Sequence, residues 1–261
     1  ISRRPNYHDK CKRAVSEVCG VTISILAMDE KTGRLGGAAA TGSLCVGGWV
    51  LRGGPATGLS ASQGTAPSTL WGEAVLDSMG KGAPAGVAVA RVTQPDSGRD
   101  HRQLAALDPR GGTAAHTGAR SVAHAGTREA RGLIVAGNML AGPAVLDAAL
   151  AGYREAAALP LPERLLAALE AAAAAGGDAR GLKSAALLVV GRDIAPLTLR
   201  IDHSVNPLAA LGDLYCVARS EPYRGWTEVV PVLDDPHRAP APDTVPDTPE
   251  PMIEGAPRIP R

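Results

Sequence analysis

The sequence predicts an α+β protein in which two antiparallel sheets lie together with helices packed outside them. Hairpin patterns recur, at 21–40 and again at 102–116, each with a turn containing Asp and Gly. Helical patterns arrive in pairs, at 67–79 with 83–91 and at 143–157 with 162–175. A βαβ chain would place them singly between strands. The core has to be built from small residues, because Phe is absent and aromatics make up 3% against 45% hydrophobic residues. Ala, Val, Leu and Gly must then fill it by close backbone approach.

The first hairpin organises the rest. Residues 21–27 are apolar or β-branched, with Thr22 and Ser24 set among them; Asp29-Glu30-Lys31-Thr32-Gly33 turns the chain, and Leu35 to Ala40 returns as a strand of small residues. The glycine-dense stretch from Thr41 to Pro55 reads as turns, and it lacks the G-K-[ST] of a phosphate loop. Ala56 to Gln63 reads as a weak strand. Pro67 to Met79 reads as a helix with Ser68 or Thr69 near its cap, and Ala83 to Arg91 as a second, shorter helix. Arg102 to Leu107 and Thr113 to His116 form the next hairpin, and Leu133 to Ala136 is a short strand running into Gly137-Asn138. Two helices follow, the first opened by Pro143, the second carrying Leu165, Leu166 and Leu169 on one face. Ser184 to Val190 and Leu197 to Ile201 pair as strands, and Asn206-Pro207 opens a helix reaching about Arg219.

Composition narrows the function. With 27 basic against 26 acidic residues the formal net charge is +1, which gives no basic excess for a nucleic-acid partner. So few rings also argue against an aromatic RNA platform. Cys11, Cys19, Cys45 and Cys216 form no C-x-x-C pair, which favours free thiols in a reducing, cytoplasmic setting. No run of 18 apolar residues is present, so no membrane span is expected. Residues 1–20 are polar and read as a disordered extension, either a propeptide or upstream sequence. Residues 21–233 read as one domain, and the proline-rich 234–261 as a disordered tail.

Thr22 is the first candidate for chemistry. As the first residue of a mature chain it would carry a free amine and a hydroxyl on one Cα, a self-contained base and nucleophile. A β-branched residue chosen for strand packing is the plainer alternative. Ser24 shares its face of the strand and is a candidate to orient the amine. Asn138, in a glycine-bracketed turn, is a candidate oxyanion donor or a turn-holding residue. Lys183 stands at the mouth of an apolar strand, where it would lower an amine pKa, hold an anionic substrate, or pair with Asp178 or Asp202. Ser60, Ser62 and Gln63 are candidates to line the same cleft. His116, Asp178 and Arg180 complete the substrate-binding set, although a strand-end hydrogen bond for His116 and a turn-holding pair for Asp178 and Arg180 are open as well. The histidines have no H-x-x-x-H spacing, so neither a metal nor another cofactor is expected. Asp202-His203 lacks the G-x-S-x-G elbow that would complete a triad.

The run V-T-I-S-I-L-A-M-D at 21–29 resembles the opening of the DUF1028 family, which is related to the N-terminal-nucleophile hydrolases. The resemblance continues through H-R-Q-L-A-A-L-D at 101–108, A-H-T-G-A at 115–119, A-G-N-M-L-A-G at 136–142, E-R-L-L-A-A-L-E-A at 163–171 and G-G-D-A-R-G-L-K-S-A-A-L-L-V at 176–189. It implies a four-layer αββα sandwich and amide-bond hydrolysis begun by an exposed N-terminal residue. In the family a Met stands directly before the threonine that matches Thr22; here Val21 and twenty further residues precede it. The expected activity is therefore amidohydrolysis of a small molecule through Thr22. The alternative is a non-catalytic protein that binds a small polar metabolite between its sheets. The alanine-rich helices at 143–175 make a homodimer reasonable.

Overall fold

The computed structural model describes residues 21–122, 124–176 and 181–241. The chain runs β1 (Thr22–Met28), β2 (Leu35–Thr41), α1 (Val46–Trp49), β3 (Leu51–Gly54), β4 (Gly58–Gly64), α2 (Thr69–Gly80), α3 (Ala85–Thr93), β5 (Arg102–Leu107), β6 (Thr113–Thr117), β7 (Gly126–Ala130) and β8 (Leu133–Asn138). It continues with α4 (Ala144–Glu155), α5 (Leu161–Ala174), β9 (Ser184–Val190), β10 (Leu197–Ile201), α6 (Pro207–Ala218) and α7 (Tyr223–Thr227). The strands form a six-stranded sheet in the order β10-β9-β2-β1-β8-β7 and a four-stranded sheet in the order β3-β4-β5-β6. Every pairing is antiparallel. The expected α+β architecture, two antiparallel sheets flanked by helices, is present.

Pleat alternation sorts each strand between two apolar layers. On β1, Ile23, Ile25 and Ala27 join the cluster formed with α4, α5 and α6, where Leu146, Leu165, Leu169 and Leu211 are also buried. Leu26 faces the other way, into a cluster between the sheets with Ala39, Leu59, Ala61, Ala105, Leu107, Ala136 and Ala186. A third cluster lies beneath α2 and α3, where Trp71, Val75 and Ala88 meet Leu104 and Ala106. Between the sheets the facing residues are largely Ala and Leu, the composition that a core without Phe requires.

Local chemistry sets the turns. Asp29 accepts from the Lys31 N–H at 3.3 Å and from the Thr32 hydroxyl at 2.6 Å, and Gly33 at φ 69° supplies the left-handed residue that closes the hairpin. Ser68 caps α2 through its Oγ, which accepts from the Trp71 N–H at 3.2 Å, as the sequence suggested. Arg34 reaches across to Asp193 at 2.6 Å, tying the start of β2 to the β9–β10 turn.

Other elements were not legible beforehand. Residues 41–55, read as turns, contain α1 and β3. The strand β7, G-T-R-E-A, was not read at all. It is an edge strand with no apolar alternation, and its place comes from pairing with β8. Of the expected tail, residues 234–241 are described; Asp234 donates its N–H to Arg192 O at 2.9 Å, and Arg238 Nε donates to Val230 O at 2.8 Å. The rest of that tail and residues 1–20 lie outside the described residues. Among the described residues no helix is long and apolar enough to cross a membrane.

Candidate functional site

The registers of the larger sheet align one polar row across four strands. Thr22 lies opposite Thr41 on β2 and opposite Asn138 on β8, and Thr41 lies opposite Ser184 on β9. Each of the four is in phase with apolar residues of the inter-sheet cluster on its own strand, so the row Ser184–Thr41–Thr22–Asn138 faces the space between the sheets. The next row inward is Ala186–Ala39–Ser24–Ala136. Thr22 is 8% exposed and Asn138 fully buried. The smaller sheet closes over the row with Gln63 and Gln103, which are themselves opposite one another on β4 and β5. None of these side chains is ionisable, so the local field comes from oriented hydroxyl and amide dipoles.

Thr41 links the row to the backbone. Its hydroxyl donates to Val21 O at 2.5 Å, and the Gly42 N–H reaches the same carbonyl at 3.2 Å. With its only proton so engaged, Thr41 Oγ1 accepts from the Ser43 N–H at 3.2 Å and from the Thr22 hydroxyl at 3.1 Å. Ser184 Oγ donates to Ser43 O at 2.8 Å and accepts from the Val46 N–H at 3.1 Å, which pins α1 to the end of the row.

The amides form a second network. Gln103 Nε2 lies among Thr117 Oγ1 at 2.9 Å, Gly137 O at 3.0 Å and Gly126 O at 3.1 Å. Its Oε1 accepts from Gln63 Nε2 at 2.7 Å and Asn138 Nδ2 at 3.4 Å. Gln63 Nε2 also lies 3.4 Å from Thr22 O. Among the described residues, three buried atoms of this corner have no partner: Ser24 Oγ, Gln63 Oε1 and Asn138 Oδ1. Two non-glycine residues in the left-handed region stand beside the row, Met139 at φ 59° directly after Asn138 and Cys45 at φ 61° beside α1. Such strained backbone is concentrated at functional sites.

The structure thus brings together Thr22, Ser24, Gln63 and Asn138, and separates other candidates from them. Ser60 and Ser62 alternate out of phase with Gln63 and point to the helix side, donating to Gly72 O at 3.0 Å and Ser68 O at 2.7 Å. They cannot share a cleft with Gln63. His116 lies opposite Leu104, on the helix side of the smaller sheet, with its ring edge-on to Trp71 at 5.6 Å and Nε2 3.2 Å from Arg99 O. That is the strand-end role rather than a place in the cleft. Lys183 comes to the end of the row through its backbone, whose N–H donates to Thr41 O at 2.8 Å. It stands one residue before β9 begins. Asp202 is paired instead with Arg200 at 3.0 Å. Asp178 and Arg180 lie outside the described residues. No group of three or more His, Cys, Asp or Glu among the described residues could hold a metal ion.

Thr41, Gln103 and Ser184 were missed by the sequence reading. For Thr41 the signal was available. Pairing Met28 with Leu35 and counting outward places Thr22 against residue 41, one beyond the point where the return strand was thought to stop.

A family model described as a family of unknown function, DUF1028, matches residues 22–211, from the row's central threonine to the last helix of the helix-side core. No curated protein matches the chain. Among solved structures, a crystal structure of a Silicibacter pomeroyi protein assigned to the same family model is 50% identical, covering 85% of this chain and 96% of its own at a TM-score of 0.81. The chain belongs to the DUF1028 family.

Proposed function

We propose that the protein is an amidohydrolase that cleaves a C–N amide bond of a small molecule, with Thr22 as an N-terminal nucleophile. On this reading the two sheets and their helices form the four-layer αββα sandwich of the N-terminal-nucleophile hydrolases. The observation that carries it is the treatment of the amide carbonyl beside Thr22. Val21 O takes both the Thr41 hydroxyl and the Gly42 N–H, while the same Thr41 hydroxyl oxygen accepts from Thr22. An acyl group delivered to a freed Thr22 would find the same two donors. Thr22 Oγ1 attacks the carbonyl carbon, and its proton passes to the α-amine, whose unperturbed pKa of about 7.7–8.0 suits a base near neutral pH. Charge developing on the carbonyl oxygen is met by Thr41 and Gly42. The amine returns its proton to the leaving nitrogen, and water then hydrolyses the threonyl ester.

This chemistry needs Thr22 at the chain start. Intact mass and N-terminal sequencing of protein from its native host are expected to find Thr22 first. In a screen of acyclic and cyclic amides, Thr22→Ala is expected to abolish turnover while retaining the fold. A natively produced chain that keeps Val21 and still turns over substrate would refute the proposal. A cytoplasmic homodimer remains part of this reading, with light scattering as its test.

A second reading, binding of a small polar metabolite without turnover, draws on a cleft of about 410 Å³ lined by residues including Arg52, Glu73, Leu188 and Arg200. It is bounded by α1, β3, α2, β9 and β10, and none of Thr22, Thr41, Asn138 or Ser184 lines it. Binding there would be indifferent to whether Thr22 is free.

A further inference from the structure

The carbonyl held by Thr41 and Gly42 belongs to Val21, so the chain itself marks where the rest of an acyl group on that carbonyl lies. Standing one residue before Thr22, Val21 is in phase with Ile23 and Ile25 rather than with the row between the sheets. It belongs with them to the cluster formed with α4, α5 and α6, and is 4% exposed. An isopropyl group thus fills a buried apolar space on the helix side of β1, two bonds from the carbonyl carbon. The neighbouring strands set the walls of that space. Ile23 lies opposite Ala40 on β2 and Gly137 on β8, and Ala40 lies opposite Ala185 on β9. Gly137 has no Cβ, and the Leu140 side chain packs over it; a Cβ added there would stand 2.7 Å from Leu140 Cδ1. Ile23, Ala40, Leu140 and Ala185 are all buried in the same cluster as Val21. Alanine has no rotamer with which to fill a vacated space, and the paired strands hold its backbone. Loss of Val21 therefore leaves a cavity that its surroundings close only in part.

We propose that the space filled by the Val21 side chain is the acyl subsite, and that the substrate is an amide of a short, branched, uncharged aliphatic acid. The inference rests on the hydrolase reading of Thr22 and names the substrate class of that same site. A 3-methylbutanoyl group matches Val21 carbon for carbon. Once the chain begins at Thr22, the acyl carbon takes the place of the Val21 carbonyl carbon. Its oxygen meets the Thr41 hydroxyl and the Gly42 N–H, and its isopropyl group fills the space that Val21 left. The C–N bond breaks as an ester forms to Thr22 Oγ1. The amine leaves with the proton that the hydroxyl gave up, and water then frees the acid and restores the hydroxyl. Selection comes from size and burial. An acetyl group leaves the space empty, and a 3-phenylpropanoyl group exceeds it. A malonyl group has nearly the shape of 3-methylbutanoyl, but it would bury a carboxylate among leucine, isoleucine and alanine.

The test uses protein from the native host, its first residue established by N-terminal sequencing. It is assayed at pH 7 with the 4-nitroanilides of acetic, 3-methylbutanoic, 3-phenylpropanoic and malonic acids. With Thr22 first, kcat/KM for the 3-methylbutanoyl anilide is expected to exceed that for the acetyl anilide about 50-fold, the worth of three buried carbons. The 3-phenylpropanoyl and malonyl anilides are expected to do no better than acetyl. Equal turnover of the acetyl and 3-methylbutanoyl anilides, or a preference for 3-phenylpropanoyl, overturns the subsite and leaves the hydrolase reading standing. So does a preference for malonyl, which would assign the choice of acyl group to the charge of Lys183, one residue before β9, rather than to the apolar cluster. Three other outcomes count against the hydrolase reading itself, and this inference falls with it. They are a native chain that does not begin at Thr22, release of 4-nitroaniline that survives Thr22→Ala, and no release from any of the four by a chain that does begin there.

Discussion

Replacing Ser24 by alanine should make the protein more stable. Ser24 is 1% exposed and its Oγ has no partner. Its neighbours across the sheet on either side, Ala39 and Ala136, are alanines, and Ala186 follows on β9. The variant would complete a row of four methyl groups. Burying an unbonded hydroxyl costs about 1–3 kcal/mol by protein mutational measures, while deleting one oxygen forfeits a few contacts worth about 0.1–0.2 kcal/mol each. The expected gain is about 1 kcal/mol. With a urea m-value of about 2 kcal/mol/M, the unfolding midpoint should rise by about 0.5 M with the slope unchanged. Equilibrium urea unfolding followed by circular dichroism reads this directly. A fall in midpoint of similar size would show that Ser24 Oγ is bonded after all.

Gln103→Leu should act in the opposite sense. It strands the Gly126 and Gly137 carbonyls and the Asn138 amide, and a loss of about 3 kcal/mol in urea unfolding is expected; a loss below about 1 kcal/mol would contradict the network. Leu26→Ala removes a side chain 1% exposed between the sheets and should cost about 2–5 kcal/mol by the same measurement. The hydrogen bond from Arg34 holds the Asp193 carboxyl below its ordinary pKa. Its contribution is therefore complete above the unfolded-state value of about 3.9 and is lost as pH falls through the lower folded-state value. Asp193→Asn should leave the acid limb of the stability profile flatter, by less than about 1 kcal/mol because the pair is exposed. An unchanged acid limb would show that the pair contributes nothing.

The hairpin at 21–40 was legible because its turn chemistry and its apolar strand agree. The paired helices were legible because their caps and faces repeat at helical spacing. The strand β7 was not, since an edge strand with Arg128 and Glu129 in it has no pattern of its own and is placed by its partner. Half of the site could be read from hydroxyls on β1. Ser60, Ser62 and Gln63 were placed in one cleft although neighbours on a strand cannot face the same way. Period-two counting from Leu59 and Ala61 would have kept Gln63 and sent both serines to the helices. Gln103 offered no local sign. Its meaning depends on β4, β5, β7 and β8 meeting, and only long-range pairing brings those strands together.

The alanines that line the interlayer also act as a spacer. Gln63 and Gln103 stand on one sheet and must span the gap to reach Thr22, Asn138 and Gly137 on the other. Their reach is fixed by side-chain length, so the separation of the sheets has to match it. A valine at position 39 or 136 replaces none of these polar groups, yet by wedging the layers apart it would lengthen each bridge between them. Substitution deep in the packing can therefore detune the chemistry at the rim without altering a single group that performs it.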